Sequence, residues 1–378
     1  MSPIQQMLFA VSSGGGSRAS DECFACWVKY TDNQGNGKSS YIVTNDEFSS
    51  TTVHDGEDDI NSTMGNWCCS GDYIHFSGYW GPHHMIKVSD LTHTDGGPSP
   101  DYYNRSPFTY DSNYEDNMVS TYWGGYMSPK YTTNNANTPN PSFSTPTYSG
   151  FSMTRGYIHG AATLDGVTAI AIGTNDSGVE GSRIIRSTNG GATFTEHNIQ
   201  TYYSFGGYLG AYPDYDGGKF MWWRLNASSS NSGTNSTYSS SNATSWTLEG
   251  SQSNGPGAPS YHGYPDGLEI VYNKETSKFY YAWASTTLKE SSDGVTWTNV
   301  TLPYTTNQVA VMKNGDMVGL TIDGTNAKFY KYTLSGSSIT WSSATLLNTT
   351  AISSNIASYG GYAALCGFYA PSYGGFQE

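Results

Sequence analysis

Six arginines and a scatter of carboxylates are the residues of this chain best suited to chemistry. The planar fork of arginine binds a carboxylate bidentately. Arg18, Arg105, Arg155, Arg183, Arg186 and Arg224 are the whole supply. A glycoside hydrolase needs two carboxyls about 5–10 Å apart across the scissile bond. Asp214, Asp216, Asp266 and Asp323 could reach one face of a ring-shaped fold, but each reads more simply as a turn residue. The first two stand in Tyr212-Pro213-Asp214-Tyr215-Asp216-Gly217-Gly218, and the other two each precede a glycine. The run His54-Asp55-Gly56-Glu57-Asp58-Asp59 gathers oxygens as a Ca²⁺ site does. It lacks the alternating ligand order of a calcium loop and reads as a solvated loop. Cys23-x-x-Cys26 with Cys68-Cys69 invites a zinc site, yet the spacing is not that of paired C-x-x-C motifs and Cys23–Trp27 is apolar and strand-like. With Cys366 these five read as buried thiols, a disulfide or a metal site being the alternatives. An odd count leaves at least one thiol outside any intramolecular bridge. No metal and no cofactor is expected.

Whatever positions these groups must be built from short strands, because no stretch keeps a 3.6-residue apolar period. One phrase recurs near the end of successive segments. It runs Ser187-Thr188-Asn189-Gly190-Gly191-Ala192-Thr193-Phe194, then Ser240-Ser241-Asn242-Ala243-Thr244-Ser245-Trp246. It returns as Ser291-Ser292-Asp293-Gly294-Val295-Thr296-Trp297 and Ser335-Gly336-Ser337-Ser338-Ile339-Thr340-Trp341. The closing aromatics are 52, 51 and 44 residues apart, the period of a β-propeller blade. Each phrase lies between β-rich runs, such as Ser182–Arg186 and Thr195–Ile199, and so reads as a hairpin turn. Small oxygen-bearing side chains close it locally, and Gly190 and Gly191 permit positive φ.

Ser187-x-Asn189-x-Gly191-x-Thr193-Phe194 resembles the Asp-box, or BNR, repeat of sialidase-like β-propellers, with Asn189 where that family usually has Asp. Ser291-x-Asp293-Gly294-x-Thr296-Trp297 resembles a variant one residue shorter. The other two copies keep Ser or Thr and the Trp but lose the acid or the glycine. The resemblance covers roughly the second half of the chain. It implies a propeller whose boxes are folding elements on the outer edges of blades, away from any active site. It also raises sialidase chemistry, which uses three arginines, a Tyr nucleophile helped by Glu, and an Asp acid/base. Against that, the family's Arg-Ile-Pro phrase is missing, Arg18 falls in the N-terminal arm, and Arg183 and Arg186 flank a box.

Weaker echoes occur upstream, at Tyr41–Phe48, at His84–Leu91, and from Tyr126 through Pro129 to Phe143. Leu164-Asp165-Gly166, Asp216-Gly217-Gly218 and Lys313-Asn314-Gly315-Asp316 are further hairpin turns. Three early and four late phrases give seven blades, six or eight being the other counts. The Gly- and Tyr-rich stretch 359–373 is the expected closing strand, pairing with the N-terminal blade and removing open edges.

Charged residues are only 13% of the chain, aromatics 15%, and the formal net charge is −14. This balance argues against nucleic acid, whose phosphates need Lys and Arg, and against anionic membranes. A neutral polar surface with Tyr suits contact with glycans. Exposed aromatic loops at Tyr79-Trp80-Gly81 and Tyr122-Trp123-Gly124-Gly125-Tyr126 supply Trp80, Trp123 and Tyr126 as glycan contacts, interblade packing being the alternative use of the tryptophans. In Trp222-Trp223, strand alternation buries one ring.

No run is long and apolar enough to span a membrane, and the first residues lack the basic start and apolar core of a secretory signal. Pro3-Ile4-Gln5-Gln6-Met7-Leu8 resembles the openings of structural proteins of tailed phages, marine ones in particular. Ile4, Met7, Leu8 and Phe9 would dock into another virion protein, with Gly14-Gly15-Gly16 as a hinge. An extra strand folded back on the propeller is the alternative. The sequence therefore reads as an all-β chain, a propeller of seven four-stranded blades over 20–378 behind a docking arm over 1–19. The expected function is a non-enzymatic virion component, tail-associated or on the capsid surface, that contacts host glycans. The alternatives are a sialidase-like glycoside hydrolase and an extracellular scaffold propeller.

Overall fold

The computed structural model describes residues 22–57, 68–70, 72–77, 83–95, 108–111, 117–120, 129–132, 138, 141–151, 156–176, 179–200, 206–225, 235–256 and 270–369. Six sheets follow one another along the chain. Blade 2 is Cys68–Cys69, Tyr73–Ser77, His83–Lys87 and His93–Asp95, and blade 3 is Phe108–Asp111, Asn117–Ser120, Lys130–Thr132 and Phe143–Ser144. Blade 4 is Gly156–Leu164, Val167–Asp176, Val179–Ser187 and Thr193–Gln200, and blade 5 is Gly206–Tyr212, Lys219–Leu225, Ser236–Ser240 and Thr247–Ser251. Blade 6 is Val271–Asn273, Lys278–Tyr281, Ser285–Ser291 and Thr298–Thr306, and blade 7 is Gln308–Val311, Met317–Asp323, Asn326–Tyr332 and Thr345–Ala351. In each, spatial order equals chain order, so every blade is an antiparallel meander.

Blade 1 joins the two ends of the chain. Its first strand is Ile356–Tyr369, followed by Glu22–Asp32, Gly37–Thr44 and Thr52–Glu57. The seam pairs Glu22↔Tyr369 through Asp32↔Ile356, with register shifts after Val28 and after Thr31. Gly360, Gly361 and Tyr362 bulge opposite Lys29. A Cβ on Gly360 would sit 3.0 Å from the Lys29 carbonyl oxygen, and Gly361 has φ +85, so the bulge needs both glycines. First strands of neighbouring blades meet around the axis. Gln308 Oε1 accepts the Leu365 N–H at 2.7 Å, and a Cβ on Gly160 would lie 2.8 Å from the Leu209 nitrogen. The fold is a seven-bladed β-propeller.

The core is divided into layers between blades. Trp27 and Tyr41 of blade 1 pack on Ile74, Phe76 and Ile86 of blade 2. Phe24 and Phe48 of blade 1 pack on Val318 and Phe329 of blade 7. Both faces of a blade are thus covered, which corrects the expectation for Trp222 and Trp223. Both rings are 0% exposed: Trp222 faces Ala162 and Leu164 of blade 4, and Trp223 faces Tyr272 and Phe279 of blade 6.

Outer strands share a device that the sequence reading missed. In blades 1, 4, 5, 6 and 7 the pairing of third and fourth strands slips, as between Thr237 and Tyr238 opposite Gly250 and Leu248. Such bulges twist an edge strand away from further pairing. Blade 4 adds a cover, Thr147–Ser149, parallel to its outer strand. Connections between first and second strands, and between third and fourth, leave from one end of the ring, the turn face. Second-to-third connections and blade-to-blade crossings leave from the other, the loop face.

Candidate functional site

The recurring phrase closes the third-to-fourth connection on the turn face. In blade 6, Ser291 Oγ donates to Asp293 Oδ1 at 2.9 Å and accepts the Gly294 N–H at 2.8 Å. Asp293 Oδ1 also accepts the N–H groups of Val295 and Thr296, both at 2.8 Å. Blade 4 repeats this: Ser187 Oγ donates to Asn189 Oδ1 at 2.9 Å, and Asn189 Oδ1 accepts the Thr193 N–H at 2.9 Å. In blade 5, Asn242 Oδ1 accepts from Thr244 and Ser245 N–H. Blade 1 builds the same turn from Thr44, whose Oγ1 donates to Asp46 Oδ1 at 2.7 Å, while Asp46 accepts the Ser50 N–H at 3.0 Å. The hydroxyl-x-Asp spacing of Thr44 and Asp46 was the signal that makes this echo a full copy. Burial pushes the Asp293 carboxyl up, but the N–H groups of Thr296 and Val295 and the Ser291 hydroxyl outweigh it and hold it below the usual range. Asp46 is likewise pushed up by burial and held below that range by Ser50 and Thr44.

Each turn then grips the blade before it. Gly294, at φ +71, offers its carbonyl to Trp223 Nε1 at 2.7 Å and to Thr237 Oγ1 at 2.9 Å, both in blade 5. Phe48, at φ +67, accepts from Asn348 Nδ2 of blade 7 at 2.9 Å. Leu91, at φ +58, has its carbonyl 2.8 Å from His54 Nε2 of blade 1. In blade 5 the acceptor is one residue earlier, Asn242, bonded by Arg186 Nε of blade 4 at 2.7 Å. Blade 4's turn presses on blade 3 instead: a Cβ on Gly191 would lie 2.5 Å from Val119 Cγ2. The closing aromatics follow the turns inward, Phe194, Trp297 and Trp341 being buried and Trp246 half-buried. Burying one such ring contributes about 1.5–3 kcal/mol.

Candidate catalytic groups are dispersed. Asp214 and Asp216 lie on the turn face, between the first two strands of blade 5, where they pair with Lys274 at 3.7 Å and Lys219 at 2.5 Å. Asp323 lies at the loop face, paired with Lys328. The expectation that these carboxylates share a face is corrected, because successive connections of a meander leave from opposite ends. Arg183 is bonded to Glu196, and Arg186 serves as a latch. Arg224 is 1% exposed, and burial lowers its pKa from the ordinary guanidinium value. The solvated loop expected from His54 is in its first part a strand, Thr52–Glu57. There Asp55 accepts from Tyr30 OH at 2.5 Å and Ser353 Oγ at 2.6 Å. Arg18, Arg105, Arg155, Asp58, Asp59, Asp266, the glycan candidates Trp80, Trp123 and Tyr126, and the arm residues Ile4, Met7, Leu8 and Phe9 lie outside the described residues.

The five cysteines are free and buried, and burial pushes the thiols of Cys26 and Cys68 up. Two imidazole pairs flank blade 2: His75 Nδ1 is 3.1 Å from His83 Nε2, and His84 Nδ1 is 3.1 Å from His93 Nε2. Among the described residues no three His, Cys, Asp or Glu side chains are placed to hold a metal ion, and no helix is long and apolar enough to cross a membrane.

No family model matches the chain, and no curated protein does. Solved structures do. A protein from Lactobacillus plantarum aligns at 12% identity over 91% of this chain and 99% of that one, with a TM-score of 0.55. A 6-phosphogluconolactonase candidate from Bacteroides fragilis aligns at 12% identity over 93% and 99%, with a TM-score of 0.54. The β-propeller domain of the Trilobed protease from Pyrococcus furiosus aligns at 8% identity over 86% and 92%, with a TM-score of 0.46. At such identities the likeness is one of fold alone.

Among the described residues one aromatic is exposed rather than buried or half-buried. Tyr304, in the outer strand of blade 6, is 39% exposed. It stacks on Tyr330 of blade 7 with ring centroids 4.1 Å apart and planes 15° from parallel. The sequence reading did not single it out. Its only signal is alternation with Val300 and Leu302, which places all three on the side facing blade 7.

Proposed function

We propose that this chain is a non-catalytic propeller of a tailed-phage particle, tail-associated or on the capsid surface, that docks through residues 1–19 and contacts host glycans. The observation that carries the non-catalytic part is the use made of its charged groups. Asp214, Asp216 and Asp323 are paired with lysines on opposite faces, and Arg183 and Arg186 are bonded within or between blades. The virion part rests on the apolar opening Ile4–Val11 ahead of the Gly14-Gly15-Gly16 tether. We read the recurring turns as Asp-box-type elements that have become interblade latches. A net charge of −14 keeps nucleic acid off the partner list, and Trp80, Trp123 and Tyr126 are this reading's glycan contacts.

The test is mass spectrometry of the native protein across a density gradient. Co-sedimentation with capsid proteins is the expected result. A protein found only in the soluble fractions removes the virion reading.

A further inference from the structure

The rim between blades 6 and 7 carries an aromatic platform that the propeller fold does not require. Among the described residues Tyr304 is the one aromatic in the exposed class. One face of its ring is covered by Tyr330, and the residue remains 39% exposed. The stack fixes the ring plane, so little side-chain freedom is lost when a ligand is bound. Tyr330 is in turn directly opposite Leu346 in the blade 7 sheet, and Leu346 is 49% exposed. Exposed apolar surface therefore stands on either side of the buried Tyr330, at Tyr304 and Leu346. Polar groups stand beside it. Lys328 is bonded to Asp323, and that bond raises the lysine above its ordinary pKa, with both tyrosines close enough to act on it. Asp323 keeps 64% of its side chain exposed, which leaves carboxylate lone pairs open to further donors.

We propose that Tyr304, backed by Tyr330 and flanked by Leu346, Lys328 and Asp323, is a binding site for a neutral pyranose unit of a glycan. A pyranose has an apolar face of C–H groups and an equatorial fringe of hydroxyls. The C–H face matches the electron-rich face of a fixed tyrosine ring. The hydroxyls match a carboxylate acceptor and an ammonium donor held side by side. The net charge of −14 disfavours sialylated or sulfated glycans, while the paired Lys328 and Asp323 add no local charge to offset that. The site rests on the glycan part of the proposed function and adds to it a second location, apart from Trp80, Trp123 and Tyr126, and a ligand class.

The experiment is saturation-transfer NMR on the full chain with methyl glucoside, galactoside, mannoside and N-acetylglucosaminide, and methyl sialoside as the anionic control. The expected result is saturation of the C–H protons on one face of at least one neutral sugar, and none for the sialoside. Tyr304→Ala should weaken binding at least five-fold, Asp323→Asn about two- to five-fold, and Tyr304→Phe should bind as the native chain does. Leu248→Ala, an exposed rim leucine of blade 5, is the control that should change nothing. Circular dichroism confirms that each variant is folded, and Asp323→Asn keeps the test open if Tyr304→Ala is not. A neutral sugar bound equally well by Tyr304→Ala and Asp323→Asn overturns this site and leaves the glycan reading standing. Preference for the sialoside overturns the ligand class. Binding of none of the five overturns both the site and the glycan reading, whatever the density gradient shows.

Discussion

Trp223 donates its indole N–H to the carbonyl of Gly294, seventy-one residues later and one blade on, at 2.7 Å. The same oxygen accepts Thr237 Oγ1 at 2.9 Å and the turn's own Trp297 Nε1 at 3.2 Å. One backbone carbonyl thus ties two strands of blade 5 to the turn of blade 6. Trp223→Phe removes one donor but leaves the oxygen bonded, so the expected loss is one net hydrogen bond, about 1 kcal/mol, plus a cavity term of about the same size, because the indole is fully buried. Adding Thr237→Val takes the second interblade donor. The pair should then lose more than the two singles summed, by about 0.5–3 kcal/mol. Urea unfolding of the four-member cycle measures this, and strict additivity would mean the latch is not a unit.

Gly294 contributes space as well as an oxygen. A Cβ there would lie 3.1 Å from Met221 Cε and 3.2 Å from Trp223 Cζ2, whereas Gly324, at φ +61, has nothing within 4 Å. Both substitutions to Ala incur the left-handed penalty of about 1–2 kcal/mol. Gly294→Ala should exceed Gly324→Ala by a further ~1 kcal/mol, because the turn must back away from blade 5. Equal losses in thermal unfolding would show that the turn and its neighbour are not closely fitted.

Blade 1 makes the same turn without glycine. Glu47 sits at φ +55 with an exposed side chain. Glu47→Gly relieves about 1–2 kcal/mol of left-handed strain and returns about 0.4–1 kcal/mol as unfolded-chain entropy. A net gain of about 0.5–1 kcal/mol is expected, read as a higher Tm. Destabilisation would mean that the Glu47 side chain makes a contact worth more than the strain.

These turns were legible in the sequence because their bonds are local. Ser187 to Thr193 and Ser291 to Thr296 close within a few residues, so spacing alone exposes them, and counting them gives seven. The latches were not legible. Asn348 reaches Phe48 across 300 residues, and His54, Arg186 and Trp223 carry no mark that distinguishes a latch donor from any other polar side chain. Positive φ was hidden wherever Phe48, Leu91 or Ala243 took the place of glycine. The candidate carboxylates were misplaced for a topological reason, since Asp214 and Asp323 follow different strands of their meanders and exit at opposite faces. Tyr304 escaped notice because Val300 and Leu302, on the same side of its strand, are less exposed.

The arm makes a prediction independent of the propeller's interior. Deleting residues 1–16 removes no described strand, since the first begins at Glu22 and is held by Ile356–Tyr369. The truncated chain should keep its Tm within the error of the measurement and vanish from the particle fractions of a density gradient. A truncated chain that still co-sediments with particles would place the docking surface on the propeller itself.

Acid should loosen the turns that use Asp and spare those that use Asn. Asp293 and Asp46 have folded pKa values below the usual range, and the unfolded value is about 3.9. A depressed folded pKa stabilises the native state above the unfolded pKa, and that contribution is lost as pH falls through the folded value. Blades 1 and 6 should therefore weaken below about pH 4, while Asn189 in blade 4 and Asn242 in blade 5 do not titrate. Asp293→Asn copies the natural choice of blades 4 and 5. Asn keeps an oxygen to accept the Val295 and Thr296 N–H groups, so the loss at pH 7 should stay under about 1 kcal/mol. The gap between variant and native chain should narrow as pH falls below the unfolded value. Tm measured from pH 7 down to pH 2.5 tests this, and a gap that is constant with pH would show that the Asp293 charge contributes nothing to the turn.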